Sequence, residues 1–565
     1  MNAMVKKTIE AGRCVLQEKR KYLLLLFPAF YLLLGFYFRN ILGDLSLRSL
    51  DPDYIYFISG MGISEGHFKV AHVDNPGTPL QYLMGICYRI VYLFRPENST
   101  YQEDIFMNPD LYMAISNLVI TGIIASVLFY AGRRIYRSTG SVLYGLLIQA
   151  TPFLPVIWYD IIGRIVPELL MPLPVIFLEI LLIELIYSEK DDFDTRQIIA
   201  LSVISAFGLS VKLTYFPLWF IPLLLIKTWK RKSLFLGLSI AFFMLFAIPV
   251  TLRFSVFTKW IKALFIHSGQ YGGGSSNFVN FPEFFANLKF LWSYENWFFV
   301  AAAIVAMAAT GYLFWRKKDA GSKKVLLVTA AVLLTILLQT GMVCKHFAHR
   351  YYIPALLLFP LLIFLIAEFL KHFLNGRFRK LLSVGLILFL IAFSVHQLPW
   401  IRLKAEVMGN DIAQRKETWH FVSNLPPNSI KIITTQNYGC PFREYALMVS
   451  YAWAGSQQKY YTETLARLYP DSYLYFTWDN TLKYWTEKFD VKKIIDSKKK
   501  IYLYIEQDEE ELLNKTLAKL DEESETGFTV NSELLYRNPV TTEVIYELNL
   551  LEASNITQET TTTSN

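Results

Sequence analysis

The sequence predicts a mainly α protein: a polytopic membrane bundle of about eleven helices, followed by a small α/β domain. Three observations carry this expectation. Charged residues make up 18% of the 565-residue chain and hydrophobic residues 53%, where soluble domains carry about a quarter charged. The apolar excess is gathered in blocks of about 17–22 residues, the length that crosses a hydrocarbon core roughly 30 Å thick. Short Lys/Arg clusters separate the blocks, as they do in cytoplasmic loops. The net charge of +8 therefore speaks for membrane orientation and not for nucleic acid.

Taken in order, residues 1–21 carry Lys6, Lys7, Arg13, Lys19, Arg20 and Lys21. They lack a small-residue cleavage pattern and are expected to be a cytoplasmic lead-in. A first span near 22–38 leads to an outer loop, 39–110. Within that loop the block 79–94 contains Gln81, Cys87 and Arg89. If it crossed, Arg133, Arg134, Arg137 and most later basic clusters would lie outside, so it is expected to be re-entrant or interfacial. Spans follow near 111–131, 140–158 and 168–187. The block 198–226 is too long for one span and is interrupted by Lys212, so two short helices meeting at that lysine are expected. Further spans are expected near 233–252, 297–315, 324–343, 351–370 and 381–398, with 253–296 as an external loop containing the glycine run 272–274. Trp158, Trp219, Trp229, Trp292, Trp297, Trp315 and Trp400 fall at expected interfaces, where amphipathic rings belong. The membrane domain is thus 22–399.

Residues 400–550 are polar with short apolar runs and are expected to form a soluble extracytoplasmic domain. Lys431–Thr435 and Ile501–Ile505 read as strands, Arg443–Trp453 and Asp508–Leu520 as helices. Phe528–Tyr536 and Glu543–Leu548 read as a hairpin around Asn538-Pro539. The Thr-rich end, 551–565, is expected to be disordered. The four cysteines are far apart, without metal-ligand spacing, so neither a zinc site nor a disulfide framework is expected.

Ionisable groups at membrane depth are costly and mark function by default. Here they fall on the expected outer side. Asp51-Pro52-Asp53 reads either as the capped start of an interfacial helix or as a carboxylate whose low-dielectric surroundings suit it to accept a proton. His72-Val73-Asp74-Asn75-Pro76-Gly77-Thr78-Pro79 is a turn into a helix whose side chains and amides could also engage a phosphate or sugar hydroxyl. Lys212 reads as a snorkelling side chain or a phosphate ligand. His346, His349, Arg350 and Tyr351 read as a helix anchor or part of the same site, and Glu168 as a partner of Arg164 or a site acid.

The order of these segments resembles the GT-C glycosyltransferases, in the branch of the protein O-mannosyltransferases and the lipid A aminoarabinose transferase. Asp51-Pro52-Asp53 stands where that branch has an Asp-Glu pair, and Asn75-Pro76-Gly77-Thr78-Pro79 stands at its Pro-rich turn. Gly66 lies at about the family's distance from Asp51. Ser210–Tyr215 resembles the family's lysine between paired short helices. Arg164–Glu168 resembles the acidic start of its fourth span, and Arg350-Tyr351-Tyr352-Ile353-Pro354 its late Arg-Tyr-x-x-Pro. The sequence departs from the pattern where Pro52 replaces the second acid and Asn75 the His or Lys of the turn. The likeness covers 20–400 and not the tail.

The resemblance implies an inverting transferase of the cell inner membrane. Its donor would be a polyprenyl-phosphate sugar, and its acceptor a hydroxyl of a glycan, lipid or protein. Asp51 or Asp53 would be the base. His72, Asp74, Asn75, Arg164, Glu168, Lys212, His346, His349, Arg350 and Tyr351 would be the binding residues. No cofactor is called for, although Asp-Pro-Asp could hold Mg²⁺ or Mn²⁺. Two rival readings remain: a flippase for a lipid-linked sugar, or a membrane-anchored protein that binds a cell-surface polymer.

Overall fold

A computed structural model describes residues 21–44, 52–73, 75–95, 99–153, 158–269, 272–274, 276–292, 296–316, 320–371, 374, 376–435, 441–477, 479–523 and 528–552. The expectations for residues 1–20 and for the Thr-rich end from 553 onward lie outside the described residues. The chain divides into two compact units. The first is Met1–Asn40, Val73–Leu83 and Ser116–Lys404. The second is Ile41–His72, Met84–Ile115 and Ala405–Asn565.

Seven helices among the described residues are long and apolar enough to cross a membrane: Lys21–Leu42, Pro109–Thr139, Pro167–Tyr187, Trp297–Arg316, Ser322–Lys345, His349–Lys371 and Lys380–Ser423. They correspond to seven of the expected blocks. The block 198–226 divides as expected into Thr195–Val211, a 3-10 segment Leu213–Trp219 and Phe220–Leu225. Lys212 lies between them in extended conformation (φ −161°, ψ 140°). The reversal is tight because Tyr215 lies against Gly208, where an added Cβ would fall 2.5 Å from the ring. Trp219 Nε1 also donates to the Ser205 carbonyl at 2.9 Å.

Three expectations need correction. The segment 140–158 is not one continuous span. Val142–Gln149 ends before a 3-10 turn, Thr151–Phe153, that contains Pro152, because proline removes an N–H and clashes with the preceding turn. The block 233–252 is likewise interrupted at Ala247 ahead of Pro249. The expected loop 253–296 is largely helical, containing Phe254–Ile266 and Phe281–Leu291. The Thr78–Tyr92 helix has 15 residues. At 1.5 Å per residue that is about 22 Å, short of a crossing.

In the second unit the tail forms a six-stranded sheet in the order β3-β2-β1-β4-β6-β5. The strands are β1 Ile430–Thr435, β2 Ser472–Phe476, β3 Thr481–Lys483, β4 Ile501–Ile505, β5 Phe528–Arg537 and β6 Val544–Glu552. β1 pairs parallel with β2 and β4, while β3, β5 and β6 join antiparallel. Its core includes Ile432, Tyr475, Leu503, Leu512, Leu520 and Val544. The same unit contains the helices Asp53–Ser64 and Tyr101–Met107. Arg443–Ala452 packs on Asp53–Ser64, and Ser450 Oγ donates to the Tyr54 carbonyl at 2.8 Å.

Candidate functional site

In the first unit three charged side chains from three separate segments meet. Glu168 stands in the first turn after Pro167, where proline is tolerated because its missing N–H is not needed. The preceding turn is braced: Arg39 Nη1 donates to the Gly163 carbonyl at 2.9 Å. Asn117 Nδ2 donates to the carbonyls of Ile162 and Arg164, at 3.1 and 2.8 Å. Lys212 forms a hydrogen-bonded ion pair with Glu168 Oε1. Arg350 Nε lies 3.7 Å from the same oxygen. The Glu168 and Lys212 side chains are 2% and 4% exposed, and that of Arg350 is 27% exposed. One carboxylate between two cations leaves a net charge of +1, with Arg350 its open side.

The His349–Tyr352 turn that presents Arg350 is held by Ser322–Lys345. Gln339 Nε2 donates to the Tyr351 carbonyl at 2.8 Å, and Thr340 Oγ1 shares a 2.9 Å hydrogen bond with the Tyr352 hydroxyl. Lys212 Nζ lies 4.7 Å from the centre of the Tyr351 ring. Beside it opens a small cavity of about 70 Å³ lined by Asn75, Thr214, Trp260, Leu264, His346 and Tyr351, among others. The Asn75-Pro76-Gly77 turn is tied to the same place, since Gly77 N donates to the Val211 carbonyl at 3.1 Å. The wall is largely apolar. Two of its polar atoms, Thr214 Oγ1 and Trp260 Nε1, are buried without a hydrogen-bond partner among the described residues.

Glu168, Lys212, Arg350 and Tyr351 thus come together, and Asn75 and His346 line the adjoining cavity. His346 also has a structural task. Its two ring nitrogens face the carbonyls of Gly269 and Leu264 at 2.9 and 2.7 Å. Lys345 Nζ reaches the carbonyls of Leu264 and Phe265 at 2.9 and 3.1 Å. Together they cap the C-terminal end of Phe254–Ile266, where cations are favoured. His349 is half-buried against Asn296, with Nε2 3.3 Å from its Nδ2. Arg164 is half-buried in the braced turn.

Asp53 and His72 belong to the second unit. Asp53 opens its helix and is 1% exposed. The N-cap position is Pro52, without a side-chain cap bond, and Asp53 is the acid of the first turn, where the helix dipole favours negative charge. His72 packs edge-on against Tyr56, with ring centroids 5.2 Å apart. Asp51 and Asp74 lie outside the described residues. Among the described residues no three His, Cys, Asp or Glu side chains cluster as metal ligands, and of the two aspartates in Asp-Pro-Asp only Asp53 is described.

Sequence reasoning missed Thr214, Trp260 and Leu264. The last two sit on Phe254–Ile266, which hydropathy reads as loop. The spacing of Phe254, Phe257, Trp260 and Leu264 is a helical period and was the available signal.

No family model matches the chain, and no curated protein matches it either. Among solved structures, the chain is similar to ArnT from Cupriavidus metallidurans. The crystal structure bound to undecaprenyl phosphate matches with 11% identity and a TM-score of 0.43, and the apo structure with 11% identity and a TM-score of 0.45. Each comparison covers 92% of this chain and 97% of the other.

Proposed function

We propose that this protein is an integral-membrane glycosyltransferase that moves a sugar from a polyprenyl-phosphate donor to a hydroxyl acceptor on the non-cytoplasmic face. The observation that carries the reading is the buried Glu168–Lys212–Arg350 cluster, net positive, beside an apolar cavity with unpartnered polar groups. A lipid-phosphate donor needs both features. Its isoprenoid part is hydrocarbon, and its phosphate gains negative charge as the sugar departs. Cations already aimed at that charge in a poorly hydrated place stabilise a transition state strongly. The resemblance of Asp51–Asp53, Arg164–Glu168, Ser210–Tyr215 and Arg350–Pro354 to GT-C motifs supports the same reading.

In this scheme Arg350 and Lys212 receive the phosphate, and Glu168 holds Lys212 in place. Asn75 and Thr214 supply hydrogen bonds beside them, and His346, His349 and Arg164 belong to the same unit; the resemblance would add His72 and Asp74 as further binding residues. Asp53, or Asp51, takes the proton from the acceptor hydroxyl as its oxygen attacks the anomeric carbon. The C–O bond to phosphate breaks on the opposite face, so the sugar inverts.

The test is transfer of labelled sugar from a short-chain polyprenyl-phosphate donor by protein in lipid nanodiscs. Replacing the base, Asp51→Asn or Asp53→Asn, should lower the rate by about 10²–10⁴ in one of the two variants. Full transfer by both variants overturns the assignment. A flippase would move the labelled lipid across vesicles without forming product.

A further inference from the structure

The second unit contains its own cavity, lined by none of the candidate site residues named above. Its volume is about 260 Å³, and it is lined by Met448, Tyr451, Gln458, Lys483, Tyr484 and Trp485, among others. That lies just below the usual range of about 300–1,000 Å³ for whole small-ligand sites, as befits a subsite for a single ring. It forms where the edge strand β3 runs into Tyr484-Trp485 and meets the C-terminal half of Arg443–Ala452.

Its chemistry is specific. Trp485 is 6% exposed, and its Nε1 has no hydrogen-bond acceptor among the described residues. Buried indole N–H groups ordinarily find a partner, so this one calls for an acceptor from a ligand. Tyr451 stands edge-on to Trp485, with centroids 5.3 Å apart, and its hydroxyl is engaged with Thr462 at 2.8 Å. The aromatic wall is therefore fixed. Gln458 Nε2 is spent on the Tyr451 carbonyl at 2.9 Å, which leaves its Oε1 to accept. Lys483 is neutralised by Asp479, with Nζ 3.0 Å from Oδ2. The cavity thus offers aromatic faces, the Trp485 N–H as a donor, Gln458 Oε1 as an acceptor, the Tyr484 hydroxyl and a charge already paired. A phosphate or a carboxylate would find no uncommitted cation there. A pyranose matches, because its C–H face packs on aromatic rings while its equatorial hydroxyls donate and accept at the rim.

We propose that this cavity is a saccharide-binding subsite that takes an uncharged pyranose unit of the acceptor glycan. Saccharide binding stands on the cavity alone; the word acceptor rests on the transferase reading. The same Arg443–Ala452 helix contributes Met448 and Tyr451 to the cavity and Ser450 to the Tyr54 carbonyl. A sugar bound there bears directly on the helix that begins with Asp53.

The test uses the full-length protein in nanodiscs and saturation-transfer difference NMR. The probes are the methyl glycosides of glucose, mannose, galactose and N-acetylglucosamine, together with their β-linked disaccharides. At least one should bind saturably. Tyr484 is half-buried at the edge of the sheet core; Tyr484→Ala, with its folding checked by thermal unfolding, should weaken binding roughly fivefold or more. Trp485→Phe keeps the ring and removes the N–H, and should also weaken it. Saturable binding that both variants weaken supports the subsite even if Asp51→Asn and Asp53→Asn show that no transfer reaction occurs. No binding by any probe, or equal binding by wild type and both variants, overturns it.

Discussion

Replacing Lys212 with methionine tests the cation cluster and the membrane core together. The Lys212 and Glu168 side chains are 4% and 2% exposed, so water does little to screen them. Two unit charges near 4 Å at an effective dielectric of 20 interact by about 4 kcal/mol. Removing one partner of a buried pair costs about 3–5 kcal/mol, mostly because the other is left charged without compensation. Arg350 remains 3.7 Å from Glu168 but is 27% exposed, and it offsets only part of this. We therefore expect Lys212→Met to destabilise the protein by about 3 kcal/mol. Glu168→Gln removes the stranded charge, so the double variant Lys212→Met with Glu168→Gln should be more stable than Lys212→Met alone by about 2 kcal/mol. Both should lack transfer activity. The measurement is reversible unfolding in mixed detergent micelles for wild type, both single variants and the double, read as a double-mutant cycle. Additive costs would refute the reasoning, because they would mean that Lys212 and Glu168 do not share one buried charge balance.

Three further outcomes follow from the second unit and the cavity. An added Cβ at Gly62 would lie 2.3 Å from Gln457 Nε2, and Gln457 is 1% exposed and bonded to the His67 carbonyl at 2.6 Å. Gly62→Leu should therefore cost about 1–3 kcal/mol and make the tail more sensitive to limited proteolysis. Burial pushes the Tyr101, Tyr469 and Tyr473 hydroxyls up to about 12. Because folding raises these values, the stability they contribute is complete below pH ~10 and is lost as pH rises through about 12. Alkaline unfolding monitored by tyrosinate absorbance should be shallower in Tyr101→Phe, by one proton released. Trp260→Phe should weaken inhibition of transfer by a short polyprenyl phosphate, read as an increased Ki with little change in thermal stability.

Much of the bundle was legible because lipid imposes one demand on every span: a long apolar block with its backbone bonds satisfied internally. Lys212 stood out for the same reason, as a charge inside such a block. The breaks at Pro152 and Pro249 were written in the sequence, but their neighbours are uniformly apolar, and hydropathy alone hides them. Phe254–Ile266 was hidden by its lysines, Lys259 and Lys262, which lower its hydropathy without breaking its helical period. In the tail, β1, β4 and the β5–β6 hairpin were readable from β-rich runs. β2 and the three-residue β3 were passed over; β3 is too short to show a pattern, whereas β2 has the same fully buried, aromatic-rich run as β4 and offered the same signal. The cluster itself was only half legible. Local spacing placed Arg164 near Glu168, whereas Glu168 pairs with Lys212, 44 positions away, and with the more distant Arg350.

The membership of the second unit has a consequence for how the protein is made. Its early pieces, Ile41–His72 and Met84–Ile115, pack with Ala405–Asn565, and the ribosome reaches that partner only after inserting most of the spans. At about 5–20 residues per second, the nascent Asp53 helix waits tens of seconds for Arg443–Ala452. Until then Phe57 has Tyr88 and Phe106 against it, but the part of the helix that Arg443–Ala452 covers has no permanent partner. A chaperone binding window, or premature degradation of chains stalled before residue 450, belongs to that interval.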